Sequence, residues 1–221
     1  IPVRTPLGRQ IRKAFVARPG WVLVSADYSQ IELRIMAHLA KDRALIEAFE
    51  SGQDVHRHTA SLVFNLIPEF VTDEMRERAK TVNFGVIYGM GAFGLASRLG
   101  LSVGEARAFI ARYFEPYPAV KGYTERTVEE ARERGYVTTL LGRRRTLPEI
   151  ASTNRRMREF AERTAVNTPV QGSASDMIKV AMVRVADRLR RDGLSARMIL
   201  QVHDELVFEA PEGELEGVRE L

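Results

Sequence analysis

Two carboxylates stand at the ends of apolar, strand-like runs in distant parts of the chain. Asp27 follows residues 21–26, and Asp204 follows residues 196–202. A charge at the end of a buried strand is costly unless it is paired or binds a metal ion. Carboxylates that converge from distant segments suit a site where two metal ions promote phosphoryl transfer. We therefore expect Asp27 and Asp204 to lie close together and bind Mg²⁺, although a single aspartate after a strand more often forms a turn or a helix cap.

A second group of candidate residues follows helical spacing. Arg76, Lys80 and Phe84 lie four residues apart, so they share one face of a predicted helix. The two cations repel each other less when an anion such as a triphosphate binds between them, and Phe84 offers a flat surface for a base. A surface helix with scattered charges, in which Glu74 and Arg78 pair, explains the same spacing and is the commoner case.

Composition excludes several other classes of protein. The chain has 221 residues, enough for one large domain or two small ones, and 45% of them are hydrophobic. It has no cysteine, so disulfides and thiolate metal sites are impossible. No apolar run is long enough to span a membrane and no signal peptide is visible, so we expect a cytoplasmic protein.

The chain is moderately basic, with a net charge of +4 and an arginine-rich segment over residues 143–163. Arginine suits bidentate contacts with phosphate. A segment of this kind is usually a solvated face and only sometimes a track for a polyanion, so charge alone does not establish nucleic-acid binding.

Local patterns predict an α+β fold. The predicted strands are a buried strand over residues 21–26 and two more over 196–202 and 206–210, joined by a tight turn of His203, Asp204 and Glu205. A hairpin surrounds Gly142. The predicted helices cover residues 30–50, 54–64, 74–88, 102–114, 118–134 and 152–191, the last kinked or split at Pro169 and Gly172.

Three segments, in order, resemble the motifs of the family A DNA polymerases, the bacterial DNA polymerase I type. Residues 27–34, Asp-Tyr-Ser-Gln-Ile-Glu-Leu-Arg, are similar to motif A. Residues 76–89, with Arg, Lys, Phe-Gly and Tyr-Gly at the expected positions, resemble motif B, and residues 202–205, Val-His-Asp-Glu, resemble motif C. The ordered set is far more specific than any single motif, and the similarity covers essentially the whole chain.

The resemblance implies a right-hand polymerase architecture: an antiparallel-sheet palm and mostly helical fingers, with the thumb missing. Residues 1–50 would be the first part of the palm, residues 51–134 the fingers with the motif B helix 74–88, and residues 135–221 the return to a palm that is cut short at its C-terminal end. The implied activity is template-directed DNA synthesis for replication and repair, transferring deoxynucleotides from dNTPs to a primer 3′-hydroxyl. Primer-template DNA and a dNTP are the implied partners, and we expect a monomer at the nucleoid with no membrane association.

The resemblance also implies roles for individual residues. Asp27, Asp204 and the backbone carbonyl of Tyr28 would bind two Mg²⁺ ions, for which Mn²⁺ could substitute, and Lys80 would protonate the departing pyrophosphate. The residues implied to contact the nucleotide are Arg76, Lys80, Phe84, Tyr88, His56, Glu32 and Gln30. Those implied to contact DNA are Arg163, Asn167, Gln171, His203, Arg143 and Gly85.

Glu32 matches the steric gate of the family, which excludes a ribose 2′-hydroxyl because the side chain leaves that oxygen neither room nor a partner. Without the resemblance, Glu32 is simply an acid in the first turn of a helix, where the helix dipole favours it. Glu205 would lie beside the primer end as a secondary acid.

Three other interpretations stay open. The chain could be a nucleic-acid-binding fragment without catalysis, a two-metal nuclease, or a relative of the single-subunit RNA polymerases. Retention of Asp27, Asp204, Arg76 and Lys80 counts against a pure binding fragment, and Glu32 favours deoxynucleotides. Duplex affinity comes from phosphate contacts along an extended surface, so we expect a piece without a thumb to bind DNA weakly.

Overall fold

The structure is a computed structural model that describes residues 5–221. It divides into two compact units, the first containing the chain up to Ser29 together with Ser175–Leu221, and the second containing Gln30–Ala174. The fold is α+β and mostly helical with two small antiparallel sheets, which confirms the predicted class. Among the residues described, no helix combines the length and the apolar content that a membrane crossing requires.

The helices are α1 (Pro6–Lys13), α2 (Ile31–Ala40), α3 (Arg43–Glu50), α4 (Val55–Phe64), α5 (Asp73–Ile87), α6 (Ala92–Leu99), α7 (Val103–Phe114), α8 (Pro118–Arg134), α9 (Arg155–Arg191) and α10 (Leu215–Arg219). The strands are β1 (Trp21–Asp27), β2 (Tyr136–Thr138), β3 (Arg144–Thr146), β4 (Arg197–Val202) and β5 (Glu205–Pro211). Helices α1 and α6 were not predicted. Helix α6 begins after Gly91 and ends at Gly100, whose φ of +69° provides a left-handed cap.

The three-stranded sheet of the first unit has the order β1-β5-β4, and β5 is antiparallel to both neighbours. The prediction that residues 21–26 form a buried strand is right about the strand and wrong about its burial. None of the seven residues of β1 is buried and four are exposed, whereas β5 buries every second residue, at Leu206, Phe208 and Ala210. The central strand has a partner strand on each side, whereas each edge strand has only one. The apolar run over residues 21–26 therefore predicted the strand, but it did not predict how exposed its side chains are.

The predicted helix over residues 30–50 is in fact two helices. Lys41 adopts the left-handed conformation with φ of 53°, and Asp42 caps α3 by accepting a hydrogen bond from the Leu45 N–H at 3.0 Å. The other carboxylate oxygen of Asp42 accepts from the N–H groups of residues 119–120, at the start of α8, at 3.1 and 3.2 Å. These bonds compensate the burial of a carboxylate that is only 1% exposed, and they require the break between α2 and α3.

Helix α9 runs without interruption from Arg155 to Arg191, so the predicted split at Pro169 does not occur. A proline inside a helix removes one backbone hydrogen bond. Here the Ser173 hydroxyl donates to the Pro169 carbonyl and accepts from the Leu140 N–H at 2.8 Å, and Val170 beside it is fully buried. These contacts anchor the helix on the C-terminal side of the proline.

Two buried clusters hold the second unit together. The residues of the first, contributed by α8, β2, α9 and the segment between β3 and α9, are Ala131, Val137, Leu147, Ile150, Ala161 and Ala165. The second joins α4 to α5 through Ala60, Val71 and Ala79, with Phe64 and Met75 packed against it. Packing of α4 against α5 places several of the predicted nucleotide-binding residues next to each other.

Candidate functional site

In the first unit, the end of β1 meets the turn between β4 and β5. Asp27 pairs with Glu205 in the sheet register, and the Tyr28 N–H donates to the carbonyl of Asp204 at 3.3 Å. The predicted convergence of Asp27 and Asp204 is therefore confirmed at the level of the backbone. Asp27 is exposed and Asp204 is half-buried.

The turn itself is shorter than predicted. It contains His203 and Asp204 alone, because Glu205 already pairs with Val202 and belongs to β5. His203 has a φ of 55°, a conformation that costs a residue with a side chain about 1 kcal/mol. The Gln201 side chain donates to the His203 carbonyl at 2.6 Å and supports this conformation. The strained turn presents Asp204 next to the end of β1.

These residues fit Mg²⁺ better than a metal with an all-protein coordination shell. Among residues 5–221 there is no cluster of three or more acidic, histidine or cysteine side chains placed to hold a metal ion. Mg²⁺ commonly takes one or two carboxylates and completes its shell with water and substrate phosphates. Asp27, Asp204 and the carbonyl of Tyr28 offer such a partial set of oxygen ligands.

In the second unit, Arg76 of α5 is paired with an acid at the start of α4. Asp54 accepts from Arg76 Nε at 2.5 Å through Oδ2, and from the N–H groups of His56 and Arg57 at 3.0 and 3.1 Å through Oδ1. Partial burial works against the charged carboxylate, but the hydrogen bonds from Arg76 and from the backbone hold the pKa of Asp54 below its ordinary value. Asp54 was not among the candidate residues, because its only local signal is its position before a helix.

Lys80 lies one turn after Arg76 on α5 and is exposed. No ion pair within residues 5–221 involves Lys80, whereas Arg76 also lies 3.4 Å from Glu77. The alternative pair between Glu74 and Arg78, which a plain surface helix would allow, is absent from the same residues. Lys80 is therefore available to an external anion.

His56, predicted to contact phosphate, is buried and only 1% exposed. Its Nδ1 lies 2.8 Å from Asn83 Nδ2, and Asn83 Oδ1 accepts from the Thr59 hydroxyl at 2.8 Å. Burial, reinforced by the positive charge of Arg76, lowers the pKa of His56 to about 4. His56 is therefore a neutral imidazole near pH 7.

We expect this buried histidine to make folding sensitive to acid. Its pKa falls from 6.5 in the unfolded chain to about 4 in the fold, so the unfolded state binds more protons between these values. The fold is unaffected above pH 6.5 and loses stability as the pH falls through this window. Lowering the pH from 7 to 5 should therefore reduce the free energy of unfolding by about 2 kcal/mol more in the native protein than in His56→Gln. Urea titrations of both proteins at both pH values measure the difference. Equal losses in the two proteins would contradict this expectation.

Glu32 and Tyr88 form a second contact within this unit. The Tyr88 hydroxyl donates to a carboxylate oxygen of Glu32, in a bond that links α2 to the end of α5. Burial, followed by the neighbouring Glu32, raises the pKa of Tyr88 far above its ordinary value, so the phenol stays protonated. The Tyr88 ring also stacks on Phe84 at 6.2 Å between centroids, and Phe84 lies 5.9 Å from the His56 ring. Four predicted nucleotide-binding residues are thus brought together.

Gln30 was also predicted to contact the nucleotide. It takes a left-handed conformation with φ of 56° just before α2. Its side-chain oxygen is buried and has no hydrogen-bond partner among the residues described. The structure places Gln30 two residues before Glu32 and shows no contact that assigns it a role.

The predicted DNA-contact residues fall into separate groups. Arg163 and Asn167 lie one turn apart on α9. The hydrogen-bonding pattern around Asn167 is satisfied when its amide nitrogen faces the carbonyls of Tyr88 and Arg163, to which it then donates at 3.3 and 3.2 Å. Gln171, one turn further along α9, is exposed. Asn167 therefore lies next to Tyr88, which caps α5 and is itself a candidate nucleotide-binding residue.

The other three predicted DNA contacts lie elsewhere. Arg143 is exposed on the turn between β2 and β3, and His203 is exposed on the β4–β5 turn of the first unit. Gly85 lies on α5 where a Cβ atom would stand 2.4 Å from Met90 Cε, so a larger residue would displace the Met90 side chain. For Gly85 the structure thus supplies a packing reason besides any role in binding.

Two arginines of the arginine-rich segment, Arg155 and Arg158, pair with acids of the same segment. Arg155 pairs with Glu159 at 2.7 Å, and Arg132 of α8 and Arg158 reach Glu162 at 2.6 and 4.0 Å. These pairs are what a solvated surface produces. Arg163, by contrast, has no ion pair within the described part of the chain.

Comparison with known proteins gives one consistent result. The sequence model of "DNA polymerase family A" matches residues 1–221. The chain is 56% identical to the thermostable DNA polymerase I of Thermus filiformis and 55% identical to the DNA polymerase I of Geobacillus stearothermophilus. Both matches cover 100% of this chain, and they cover 26% and 25% of the length of the two relatives, respectively. The chain therefore spans about a quarter of the length of the curated relatives it matches.

A solved structure agrees over the whole chain. The POL domain of Pol1 from M. smegmatis, in complex with DNA primer-template and dNTP, superimposes with a TM-score of 0.94 and 50% sequence identity. The match covers 100% of this chain and 39% of that one.

Proposed function

Since this chain belongs to DNA polymerase family A, we propose that the protein containing it carries out template-directed DNA synthesis, transferring deoxynucleotides from dNTPs to a primer 3′-hydroxyl. One observation supports the catalytic assignment more than any other. The backbone contact between Tyr28 and Asp204 brings together two carboxylates that are 177 residues apart in the sequence. A protein that only bound DNA would gain nothing from acids concentrated near phosphates.

The first unit supplies the acids in this proposal. We assign its three-stranded sheet to the palm, and Asp27, Asp204 and the carbonyl of Tyr28 to the binding of divalent ions, Mg²⁺ or Mn²⁺. Such ions, when bound, supply positive charge that favours ionisation of the attacking hydroxyl and neutralises the leaving group. Glu205, which accepts a hydrogen bond from the Ser25 hydroxyl, helps to fix the start of β5 beside Asp27.

The second unit supplies groups for the nucleotide. We assign α5 to the fingers, where Arg76, Lys80 and neutral His56 bind phosphate oxygens, and where Lys80 is the acid for the departing pyrophosphate. Arg76 starts in a pair with Asp54, so phosphate binding requires exchange of one anionic partner for another. Catalysis in this proposal is mostly positioning and charge stabilisation.

We assign recognition of the nucleotide's sugar and base to Phe84, Glu32, Gln30 and Tyr88. Phe84 stacks on the incoming base and sugar, Glu32 excludes a 2′-hydroxyl, and Gln30 contributes from the start of α2. Tyr88 occupies the position of the template base until the fingers close. Its hydrogen bond to Glu32 supports this proposal, since one contact then couples the sugar gate to the template position.

Primer-template DNA is the proposed macromolecular partner. The structural relative from M. smegmatis was solved with such DNA and a dNTP, and the match covers the whole of this chain. Arg163, Asn167, Gln171, Arg143, Gly85 and His203 are proposed to contact it. Arg163 is exposed and unpaired within residues 5–221, as a phosphate-binding arginine should be.

Primer extension tests the proposal directly. With Mg²⁺, a primed template and one dNTP at a time, we expect the full-length protein to add only the nucleotide that complements the template. A folded protein that adds nothing, or adds without regard to the template, would refute template-directed synthesis. Equal use of ribonucleotides would instead favour a relative of the RNA polymerases.

A further inference from the structure

A chain of three buried polar side chains connects α4 to α5 beside the proposed phosphate site. Asn83 and Thr59 are each 0% exposed, and His56 is 1% exposed. Asn83 Nδ2 lies 2.8 Å from His56 Nδ1, Thr59 Oγ1 lies 2.8 Å from Asn83 Oδ1, and Thr59 Oγ1 lies 2.9 Å from the Val55 carbonyl. Buried polar groups are costly unless they are hydrogen-bonded, so this arrangement serves more than packing.

The direction of these hydrogen bonds determines where the imidazole carries its proton. In the amide orientation that the structure gives Asn83, Thr59 uses its single hydroxyl proton on Asn83 Oδ1, and the Asn83 amide N–H groups face His56 Nδ1 and donate to it. An Nδ1 atom that accepts a hydrogen bond has no proton, so the neutral ring carries its proton on Nε2. Burial keeps the pKa of His56 near 4, which makes the neutral ring the relevant form.

The Nε2 atom is left with an unused donor. It is buried and has no hydrogen-bond partner among the residues that the structure describes. An unsatisfied buried donor costs stability until an acceptor arrives. The positive charges of Arg76 and Lys80 that act on the ring would attract an anionic acceptor to the same place.

We propose that Asn83, oriented by Thr59, is a positioning residue that holds His56 in the Nε2–H tautomer, so that the nucleotide site offers a neutral N–H donor to a phosphate oxygen. Asn83 itself touches no ligand in this proposal and acts through His56. The assignment of the acceptor as phosphate rests on the proposed function. The tautomer rests only on the contacts among Asn83, Thr59 and His56.

The opposite amide orientation makes the contrary prediction. If the Asn83 amide is turned over, its oxygen accepts from His56 Nδ1–H and its nitrogen donates to Thr59, which donates to Val55. His56 Nε2 is then an acceptor, and it repels a phosphate oxygen. The two orientations differ in one measurable property, the protonated nitrogen of the ring.

The first experiment measures the tautomer without nucleotide. The protein is labelled with ¹⁵N-histidine, His56 is assigned by comparison with His56→Gln, and ring nitrogen shifts are read from long-range ¹H–¹⁵N spectra at pH 7. We expect a proton on Nε2 in the native protein and in Thr59→Ser, and a mixture of tautomers in Asn83→Leu. A proton on Nδ1 in the native protein, or an unchanged tautomer in a folded Asn83→Leu variant, overturns the proposal.

The second experiment measures affinity for inorganic tripolyphosphate by calorimetry. One hydrogen bond lost through misplacement of the ring should weaken binding about fivefold in Asn83→Leu. The double variant Asn83→Leu/His56→Gln should bind no more weakly than His56→Gln alone, because both changes remove the same interaction. Additive losses would show that Asn83 acts independently of His56 and would overturn its positioning role. An Nε2–H tautomer without tripolyphosphate binding by the native protein would instead count against the proposed function.

Discussion

We expect replacement of Asp27 or Asp204 by alanine to abolish measurable nucleotide addition. The rate should fall by about 10³-fold or more, because several kcal/mol of transition-state charge stabilisation are removed. The two carboxylates stand at the meeting point of β1 and the β4–β5 turn, and neither is buried in the core. Single-nucleotide addition by the full-length protein under single-turnover conditions measures the effect.

Folding provides the control for these variants. Because both side chains are at least partly exposed, each variant should unfold within about 1 kcal/mol of the native protein. Asp192→Ala removes an acid of the same unit whose side chain forms a surface ion pair with Arg188 at 3.0 Å, and it should keep full activity. Undiminished addition by Asp27→Ala or Asp204→Ala would disprove the proposed role of these carboxylates.

We expect Glu32→Ala to raise the incorporation of ribonucleotides relative to deoxynucleotides by about 10- to 100-fold, because the side chain is proposed to fill the space of a 2′-hydroxyl. The truncated side chain would leave room for that oxygen. The ratio of kcat/KM for one ribonucleotide and the matching deoxynucleotide, on the same primed template, measures the change.

Tyr88→Phe tests whether the bulk of the Glu32 side chain or its hydrogen bond with Tyr88 excludes ribonucleotides. It removes the hydroxyl that donates to Glu32 but leaves the carboxylate and both rings in place. If bulk excludes ribonucleotides, Tyr88→Phe should raise their use less than Glu32→Ala does, and Glu32→Gln should stay close to the native protein. A Tyr88→Phe variant as permissive as Glu32→Ala would assign the selectivity to the hydrogen bond instead.

The candidate residues of the two units depend on different features of the fold. The acids of the first unit depend on a sheet register, and a one-residue slip between β1 and β5 would turn Asp27 to the other face. The cations of the second unit depend on the packing of α4 against α5, which places Asp54 within reach of Arg76. A change in either packing arrangement would thus impair one set of residues and leave the other intact.

The sequence by itself determined the features that depend on neighbouring residues. Helix α5 begins after Thr72, whose side chain accepts from the Met75 N–H at 3.3 Å, as a Ser/Thr cap predicts. The spacing of Arg76, Lys80 and Phe84 and the strand–turn–strand pattern around Asp204 are likewise local signals. The order of such motifs was enough to indicate the family.

Only the tertiary structure decided which residues distant in the sequence form hydrogen bonds with each other and which side chains are buried. The break before α3 follows from Asp42, whose buried carboxylate also binds the start of α8, and the exposure of β1 follows from its place at a sheet edge. The burial of His56 against Asn83 is of the same kind. Hydrogen-bond partners and burial depend on contacts across tens of residues, whereas sequence periodicity reports only on the residue's own helix or strand.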